Sequence, residues 1–216
     1  MKRIIVIAIL ALVIFYSCKK DTTIAPPTKT NPPASVSYIS LKVGNYWIYE
    51  MCTDDSTGTE TSLNKTDSLY IQRDTVIGGK TYYYFQISDP NTLSASLPLQ
   101  NQWVTDSSGF LKYYGQKYVA MDYVHLNDTI TRDTMTWGVV INTCPVAFTN
   151  DVVPAGTFSG VSMNLRLRYL HPTPHSSPYV AGYSRYSQGI GLVHHRTSFA
   201  SDPRYGNTWR LVRYHI

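Results

Sequence analysis

From Tyr38 onward the chain alternates apolar and polar residues with a period of two. The clearest stretch is 161–169, where the apolar positions are Val161, Met163, Leu165, Leu167 and Tyr169, and the polar positions between them are Ser162, Asn164, Arg166 and Arg168. Strict alternation predicts a strand with one buried face and one solvated face. We therefore expect Arg166 and Arg168 to project from the solvated face of this strand.

Turn residues divide the alternating pattern into hairpins. Gly78-Gly79 lies between predicted strands 68–77 and 81–88, and two glycines suit the positive φ angles of a two-residue turn. Residues 107–109 (Ser-Ser-Gly) separate predicted strands 103–106 and 110–114 in the same way. Further strands are predicted at 129–141, 144–148, 183–187, 191–199 and 208–214. No segment after Cys18 has a helical apolar stripe, so the sequence predicts an all-β domain, an antiparallel barrel or strongly curved sheet of about ten strands.

The composition agrees with a folded β-protein. Hydrophobic residues make up 43% of the 216 residues and charged residues 15%, which excludes a disordered chain. Glu50 and Glu60 are the only glutamates, which excludes a coiled coil. The eighteen tyrosines favour strands over helices.

The first eighteen residues have the pattern of an export signal. Lys2 and Arg3 precede an uncharged, largely aliphatic run at 4–16, which predicts a signal helix that is too short for a relaxed transmembrane helix. The run ends in Ser17-Cys18, which resembles the lipobox of bacterial lipoproteins, although residues 15 and 16 (Phe-Tyr) depart from the usual pattern. The resemblance implies a signal peptide at 1–17 and acylation of Cys18, with palmitate as the expected type of lipid. The alternative is an uncleaved signal anchor in which the cysteine is incidental.

The remaining chain divides into a tether and a domain. Residues 18–37 hold the acylated cysteine and a linker rich in Pro and Thr, and such a linker extends by about 3.1 Å per residue. Residues 38–216 form the predicted single β-domain. The expected location is the outer membrane, with the membrane itself as partner through the lipid anchor, and the leaflet face is left open.

Four short strings resemble sequences of a broad group of uncharacterised envelope lipoproteins of the Bacteroidota type. They are LKVGNYWIYE at 41–50, RDTVIGGKTYYY at 73–84, VPAGTF at 153–158 and GIGLV at 189–193. The group has no activity that could be carried over. From their residues alone, the strings indicate turns and the beginnings of strands.

No catalytic motif, cofactor motif or metal-binding motif is present, so a non-catalytic protein without a cofactor is favoured. His171 and His175 lie in a segment interrupted by proline. His194 and His195 are neighbours on a predicted strand and should point to opposite faces, so they cannot bind one metal ion together. Loops at 89–101 and 171–178 are long enough to serve as binding surfaces.

Charge is distributed unevenly along the chain. After residue 151 there are seven arginines and a single acid, Asp202. Arginines among aromatic residues favour the binding of anionic groups, and the candidate binding residues are Arg166, Arg168, Arg185, Arg210 and Trp209. An anionic glycan or an envelope protein is the expected partner, and nucleic acid is not. The alternative is that these arginines pair with the acidic N-terminal strands.

Two further features leave alternatives open. Once Cys18 is acylated, Cys52 and Cys144 are an even pair in an oxidising compartment and could form a disulfide, or each could be buried as a small hydrophobic residue. An Asp, then Ser or Thr, then a third residue of a restricted set occurs at Asp21, Asp55, Asp67, Asp74, Asp128 and Asp133. The triplet is similar to an O-glycosylation acceptor of Bacteroidota envelope proteins, and it is equally a natural beginning for a strand.

These observations leave three hypotheses for the function. The first is a lipid-anchored, non-catalytic envelope protein that binds a ligand or partner. The second is a carrier of lipid or lipoprotein with a half-barrel cavity, and the third is a structural component of an envelope assembly. An open apolar cavity would favour the carrier, and a filled core would favour binding at the surface.

Overall fold

The alternating pattern forms antiparallel strands, as predicted. The structure, a computed structural model, describes residues 37–89, 97–107, 109–116, 119–122, 127–136, 138–143, 148–170 and 179–216. The strands are β1 (Tyr46–Asp54), β2 (Glu60–Ile77), β3 (Lys80–Ile87), β4 (Trp103–Ser107), β5 (Phe110–Tyr113), β6 (Val119–Asp122), β7 (Thr129–Met135), β8 (Gly138–Thr143), β9 (Phe148–Val153), β10 (Gly156–Leu170), β11 (Tyr179–Ser187), β12 (Gly191–Ser198) and β13 (Gly206–His215). All described residues belong to one unit, Ala34–Ile216. Within them, no helix has the length and apolar character needed to cross a membrane.

The strands form one strongly curved sheet. Its order is β6-β5-β4-β3-β2-β1-β13-β12-β11-β10-β8-β7, and β9 pairs with β10 outside this path. The first and last parts of the sheet approach each other where Asn164 Nδ2 on β10 donates to the Ala120 carbonyl of β6 at 2.8 Å. The predicted barrel or strongly curved sheet is therefore confirmed.

The predicted strand count and some boundaries differ from the structure. The segment predicted as one strand at 129–141 is the hairpin β7–β8, because the chain reverses between Met135 and Gly138. The short strand β6 has no counterpart in the sequence prediction. The predicted strand 144–148 lies mostly outside the described residues, and so do most of loop 89–101 and all of loop 171–178.

Large aromatic side chains fill the interior of the curved sheet at the centre of the strands. Trp47, Tyr49 and Trp209 are at most 1% exposed. Trp47 Nε1 donates to the Ile190 carbonyl at 2.6 Å, and Tyr49 Oη donates to the Leu192 carbonyl at 2.7 Å. The polar atoms of Trp47 and Tyr49 are therefore both satisfied by backbone carbonyls at the beginning of β12. This part of the interior is a packed core.

The polar side of β10 faces the inside of the curved sheet, where Arg166 is exposed to solvent. Asn164 bonds to β6 across the interior, and Arg166 lines a cleft inside the curved sheet. Met163 and Leu165, on the apolar side, are only half-buried. The alternation of β10 was predicted correctly, and Arg166 is exposed as expected, but its exposed surface lies in a cleft inside the curved sheet.

A charge ladder and a candidate ligand-binding cleft

Four charged or titratable residues lie side by side on four neighbouring strands. Glu50 on β1 is opposite Arg210 on β13, Arg210 is opposite His194 on β12, and His194 is opposite Arg185 on β11. Residues directly opposite each other on antiparallel strands share a face of the sheet. The row is therefore one continuous strip across the sheet.

Two acids from other strands interleave with this row. Glu60 of β2 lies 3.1 Å from Arg210 Nη1 and 3.2 Å from His194 Nε2. Asp151 of β9 lies 3.4 Å from His194 Nδ1 and 2.9 Å from Arg185 Nη1. The six groups alternate in sign when His194 is protonated. We call them the charge ladder, and they are Glu50, Arg210, Glu60, His194, Asp151 and Arg185.

The ladder is largely removed from water, and its groups adjust each other's protonation. Burial alone would lower the pKa of His194, but hydrogen bonds to Asp151 and Glu60 outweigh it and raise the pKa above the ordinary value. Burial would raise the pKa of Asp151 and of Glu60, but the contacts with His194 and with the neighbouring arginines lower both. The hydrogen bonds from Ser62 and Arg210 lower the pKa of Glu50. The ladder therefore favours an imidazolium between two carboxylates.

Other arginines of the C-terminal strands are also neutralised. Arg196 on β12 bonds to Asp54 of β1 at 2.5 Å, with 13% and 4% of the two side chains exposed. Arg204 bonds to Asp202 in a turn, where Arg204 is 71% exposed. Together with Arg185 and Arg210, at least four of the seven C-terminal arginines have carboxylate partners among the described residues. The structure thus favours the alternative in which most of the basic excess serves the fold.

A polar cleft of about 300 Å³ opens on the inner side of the same strands. Its base is formed by Ser184 of β11 and His195 of β12, whose Oγ and Nδ1 atoms are 2.9 Å apart. The His195 ring contacts the buried Trp209 ring with 5.4 Å between centroids, so the cleft ends on the packed core. His194 and His195 therefore serve opposite faces of the sheet, one in the ladder and one in the cleft.

The walls of the cleft carry amides, hydroxyls and the guanidinium of Arg166, which has no carboxylate within ion-pair distance among the described residues and is stabilised by Asp133 only at longer range. Arg166 Nε donates to Asn142 Oδ1 at 3.3 Å, and Asn142 Nδ2 donates to Thr131 Oγ1 at 2.6 Å. Desolvation by the cleft walls, followed by repulsion from Arg168, lowers the pKa of Arg166. The opposite wall includes Pro98, Gln102, Tyr113, Gln116 and Ala120. An anion entering the cleft would offset both unfavourable effects on the guanidinium.

The five residues predicted to bind anions do not form one surface. Arg166 lines the cleft, and Arg168 lies two residues further along β10, half-buried and outside the cleft lining. Arg185 and Arg210 belong to the charge ladder on the other face. Trp209 is fully buried in the core. The sequence missed the cleft residues Asn142, Ser184 and His195, whose single polar positions carry no recognisable spacing.

The cysteines and the histidine pairs are placed as follows. Cys52 on β1 is buried and forms no disulfide with another described residue, whereas Cys18 and Cys144 lie outside the described residues, so acylation and a disulfide both stay predictions. His171 and His175 also lie outside them. Within the described residues, no group of three or more His, Cys, Asp or Glu side chains could hold a metal ion.

Two of the six Asp-Ser/Thr triplets have a structural explanation. Asp55 Oδ1 accepts hydrogen bonds from the amides of Thr57 and Thr59 at 2.8 and 3.0 Å, which shapes the β1–β2 turn. Asp67 Oδ1 accepts from the Ser68 amide at 2.7 Å. Asp21 lies outside the described residues. These contacts account for the aspartates without a modification, and O-glycosylation stays a prediction.

The four strings with the lipoprotein resemblance lie at turns and strand ends. The β2–β3 turn contains Gly78 and Gly79 at φ values of 57° and 76°. Gly191 begins β12 at a φ of 106°, and a Cβ there would lie 2.9 Å from the Ile39 side chain. The structure therefore explains these strings by local conformation and close packing.

Comparison with known proteins adds two distant likenesses. No protein-family model matches the chain, and no curated protein matches it. A protein of Bacteroides fragilis, provisionally described as exported and with a YmcC-like fold, is 10% identical, and the match covers 84% of this chain and 100% of that one at a TM-score of 0.48. A protein of Parabacteroides distasonis, provisionally described as a lipoprotein, is 13% identical with the same coverage of both chains at a TM-score of 0.42.

Proposed function

We propose that this chain is a lipid-anchored, non-catalytic envelope protein whose β-domain binds an anionic glycan in the polar cleft. The anchor is the acylated Cys18 at the outer membrane, and the Pro-rich linker carries the domain away from the bilayer. The observation that supports binding is Arg166, which faces into the cleft and has no carboxylate partner among the described residues. A guanidinium in this situation is suited to carboxylate, sulfate or phosphate.

The filled core favours binding over lipid transport. Trp47, Tyr49 and Trp209 occupy the interior where a carrier would need an apolar cavity. The cleft beside them combines apolar surface with amides, hydroxyls and Arg166, and the charged guanidinium is a poor partner for an acyl chain. A structural role in an envelope assembly is the outcome that remains if no glycan binds.

The test compares two arginine variants that change the net charge equally. The full-length protein in detergent micelles is passed over a resin that carries acidic oligosaccharides coupled through their reducing ends, and over a neutral counterpart. Arg166→Gln should lose retention on the acidic resin, while Arg213→Gln, an exposed arginine outside the cleft lining, should keep it. Retention should also weaken as salt is added.

Each outcome has a defined meaning. Equal retention of both variants would assign the interaction to net charge and overturn the role of the cleft. Absence of retention for the unaltered protein would overturn glycan binding as a whole. Melting temperatures should stay within about 2 °C for both variants, because neither arginine has an ion-pair partner in the part of the chain that the structure describes.

A further inference from the structure

We infer that the cleft is a closed-ended site for a single acidic sugar ring, bound free or at the exposed end of a glycan. This inference rests on the proposed function and narrows it from anionic glycans in general to their terminal acidic residue. The evidence is the size of the cleft, its closed base and the distribution of its polar groups.

The size limits the ligand to about one ring. The cleft volume of about 300 Å³ lies at the lower end of the range of about 300–1,000 Å³ for small-molecule sites. A long chain of sugars cannot be enclosed in that space, and only one residue of it could enter.

The closed base decides between the end and the middle of a chain. Ser184 and His195 lie at the inner end of the cleft, and the His195 ring contacts the ring of the buried Trp209. The hydrogen bond from Asn164 to Ala120 joins β10 to β6 at the side of the cleft. At this inner end a polymer would meet the packed core, so the end of a sugar chain fits the cleft better than an internal residue does.

The polar groups match a ring with one carboxylate and several hydroxyls. Arg166 offers its terminal nitrogens, because its Nε already bonds to Asn142. A guanidinium binds a carboxylate with two parallel hydrogen bonds. Amide and hydroxyl side chains such as Gln102, Asn142 and Thr131 both donate and accept, as a sugar hydroxyl requires. The ring of Tyr113 adds an aromatic wall.

The first experiment measures binding to the full-length protein in detergent micelles by ligand-observed NMR. The probes are glucuronic acid, glucose (the same ring without the carboxylate) and acetate (the carboxylate without the ring). Glucuronic acid should bind at least about tenfold more tightly than either of the other two probes. Glucose lacks the charged hydrogen-bonded pair with Arg166, and acetate lacks the contacts of the sugar ring. Equal binding of acetate, or equal binding of glucose, would overturn the inference.

Variants then connect this binding to the cleft. Arg166→Gln should weaken glucuronic acid binding about tenfold or more and leave glucose binding unchanged. Asn142→Asp places a carboxylate beside the Arg166 guanidinium, so it should abolish binding of the acid while the domain keeps its circular dichroism spectrum. Arg213→Gln is the control of equal charge change. An unchanged affinity in both cleft variants would place the site elsewhere and overturn the inference.

The last comparison separates this inference from the proposed function. Two resins carry oligosaccharides with the same glucuronate content, one with the acid at the free end and one with the acid covered by a neutral sugar. Retention on the first resin alone supports the inference. If free glucuronic acid competes with that retention, the cleft accepts both the free acid and the terminal acid of a glycan. Equal retention that depends on Arg166 on both resins overturns the single-ring site and leaves glycan binding intact, whereas retention on neither overturns both.

Discussion

Asp151 provides the most direct test of whether the charge ladder stabilises the fold. Its side chain is 5% exposed and lies 2.9 Å from Arg185 and 3.4 Å from His194. Asp151→Asn keeps the size but leaves two basic groups facing each other, with Arg185 Nη1 and His194 Nδ1 3.2 Å apart. Removing one partner of a fully buried pair costs about 3–5 kcal/mol. Because Arg185 is 17% exposed, we expect a loss of about 2–3 kcal/mol in the free energy of unfolding.

Thermal unfolding of the full-length chain measures this loss. In a domain of this size, 1 kcal/mol corresponds to about 2–4 °C, so Tm should fall by about 5–10 °C. Fluorescence of the fully buried Trp47 and Trp209 follows the transition. The control is Asp202→Asn, which also removes an arginine partner at 2.8 Å, but from a pair whose Arg204 is 71% exposed. This change should lower Tm much less than Asp151→Asn does, because water already solvates both groups of the pair.

A double variant separates the unpaired charge from lost packing. Asp151→Leu combined with Arg185→Met removes both charges, so no buried cation is left without its partner. Replacing a buried pair by apolar residues is often neutral, and the double variant should therefore be more stable than Asp151→Asn. If Asp151→Asn and Asp202→Asn shift Tm by the same small amount, the reasoning that the ladder stabilises the fold is refuted.

The anchor, the buried imidazole and the buried thiol each give a further prediction. Cys18→Ser should leave an unprocessed precursor that takes up no labelled palmitate, and normal labelling would contradict the assignment. His194 has a raised pKa in the fold, so its stabilising contribution is complete below the unfolded pKa of about 6.5 and is lost as pH rises through the folded pKa. The stability difference between the unaltered chain and His194→Gln should accordingly shrink from pH 6 to pH 9 in urea unfolding, and a constant difference would argue against the imidazolium. Burial raises the pKa of the Cys52 thiol, so this thiol should react with a thiol reagent only after denaturation. Denatured, non-reduced lipidated protein should then show two thiols, those of Cys52 and Cys144. A count of zero would mean that the two cysteines form a disulfide.

The sequence predicted the parts of the fold that depend on local interactions. Alternation and turn glycines act over a few residues, so the hairpins around Gly78-Gly79 and at 107–109 have the predicted positions. The charge ladder depends on strand order, which local pattern does not contain. Glu50 and Arg210 are 160 residues apart in the chain and become neighbours only because β1 pairs with β13. Their opposite charges were visible as an imbalance between the two parts of the chain, but their pairing was not.

The orientation of β10 shows a second limit of sequence reasoning. Period-two alternation tells which residues share a side, and the usual expectation is that the apolar side is buried. Asn164 and Arg166 instead face the interior, because the curved sheet encloses a polar cleft beside β10. The candidate site was therefore predicted only through Arg166, whose exposure was expected but whose position in a cleft was not.

The ladder and the cleft depend on the same register between β11, β12 and β13. Since side chains alternate between the two faces, a shift of β12 by one residue would exchange His194 and His195. It would place the His195 ring between Asp151 and Glu60 and the His194 ring beside Trp209. Arg185 and Arg210 would keep their carboxylate partners, which lie on β9, β1 and β2. The register of β12 therefore links the two faces of the sheet, because the residue that enters the ladder decides which residue lines the cleft.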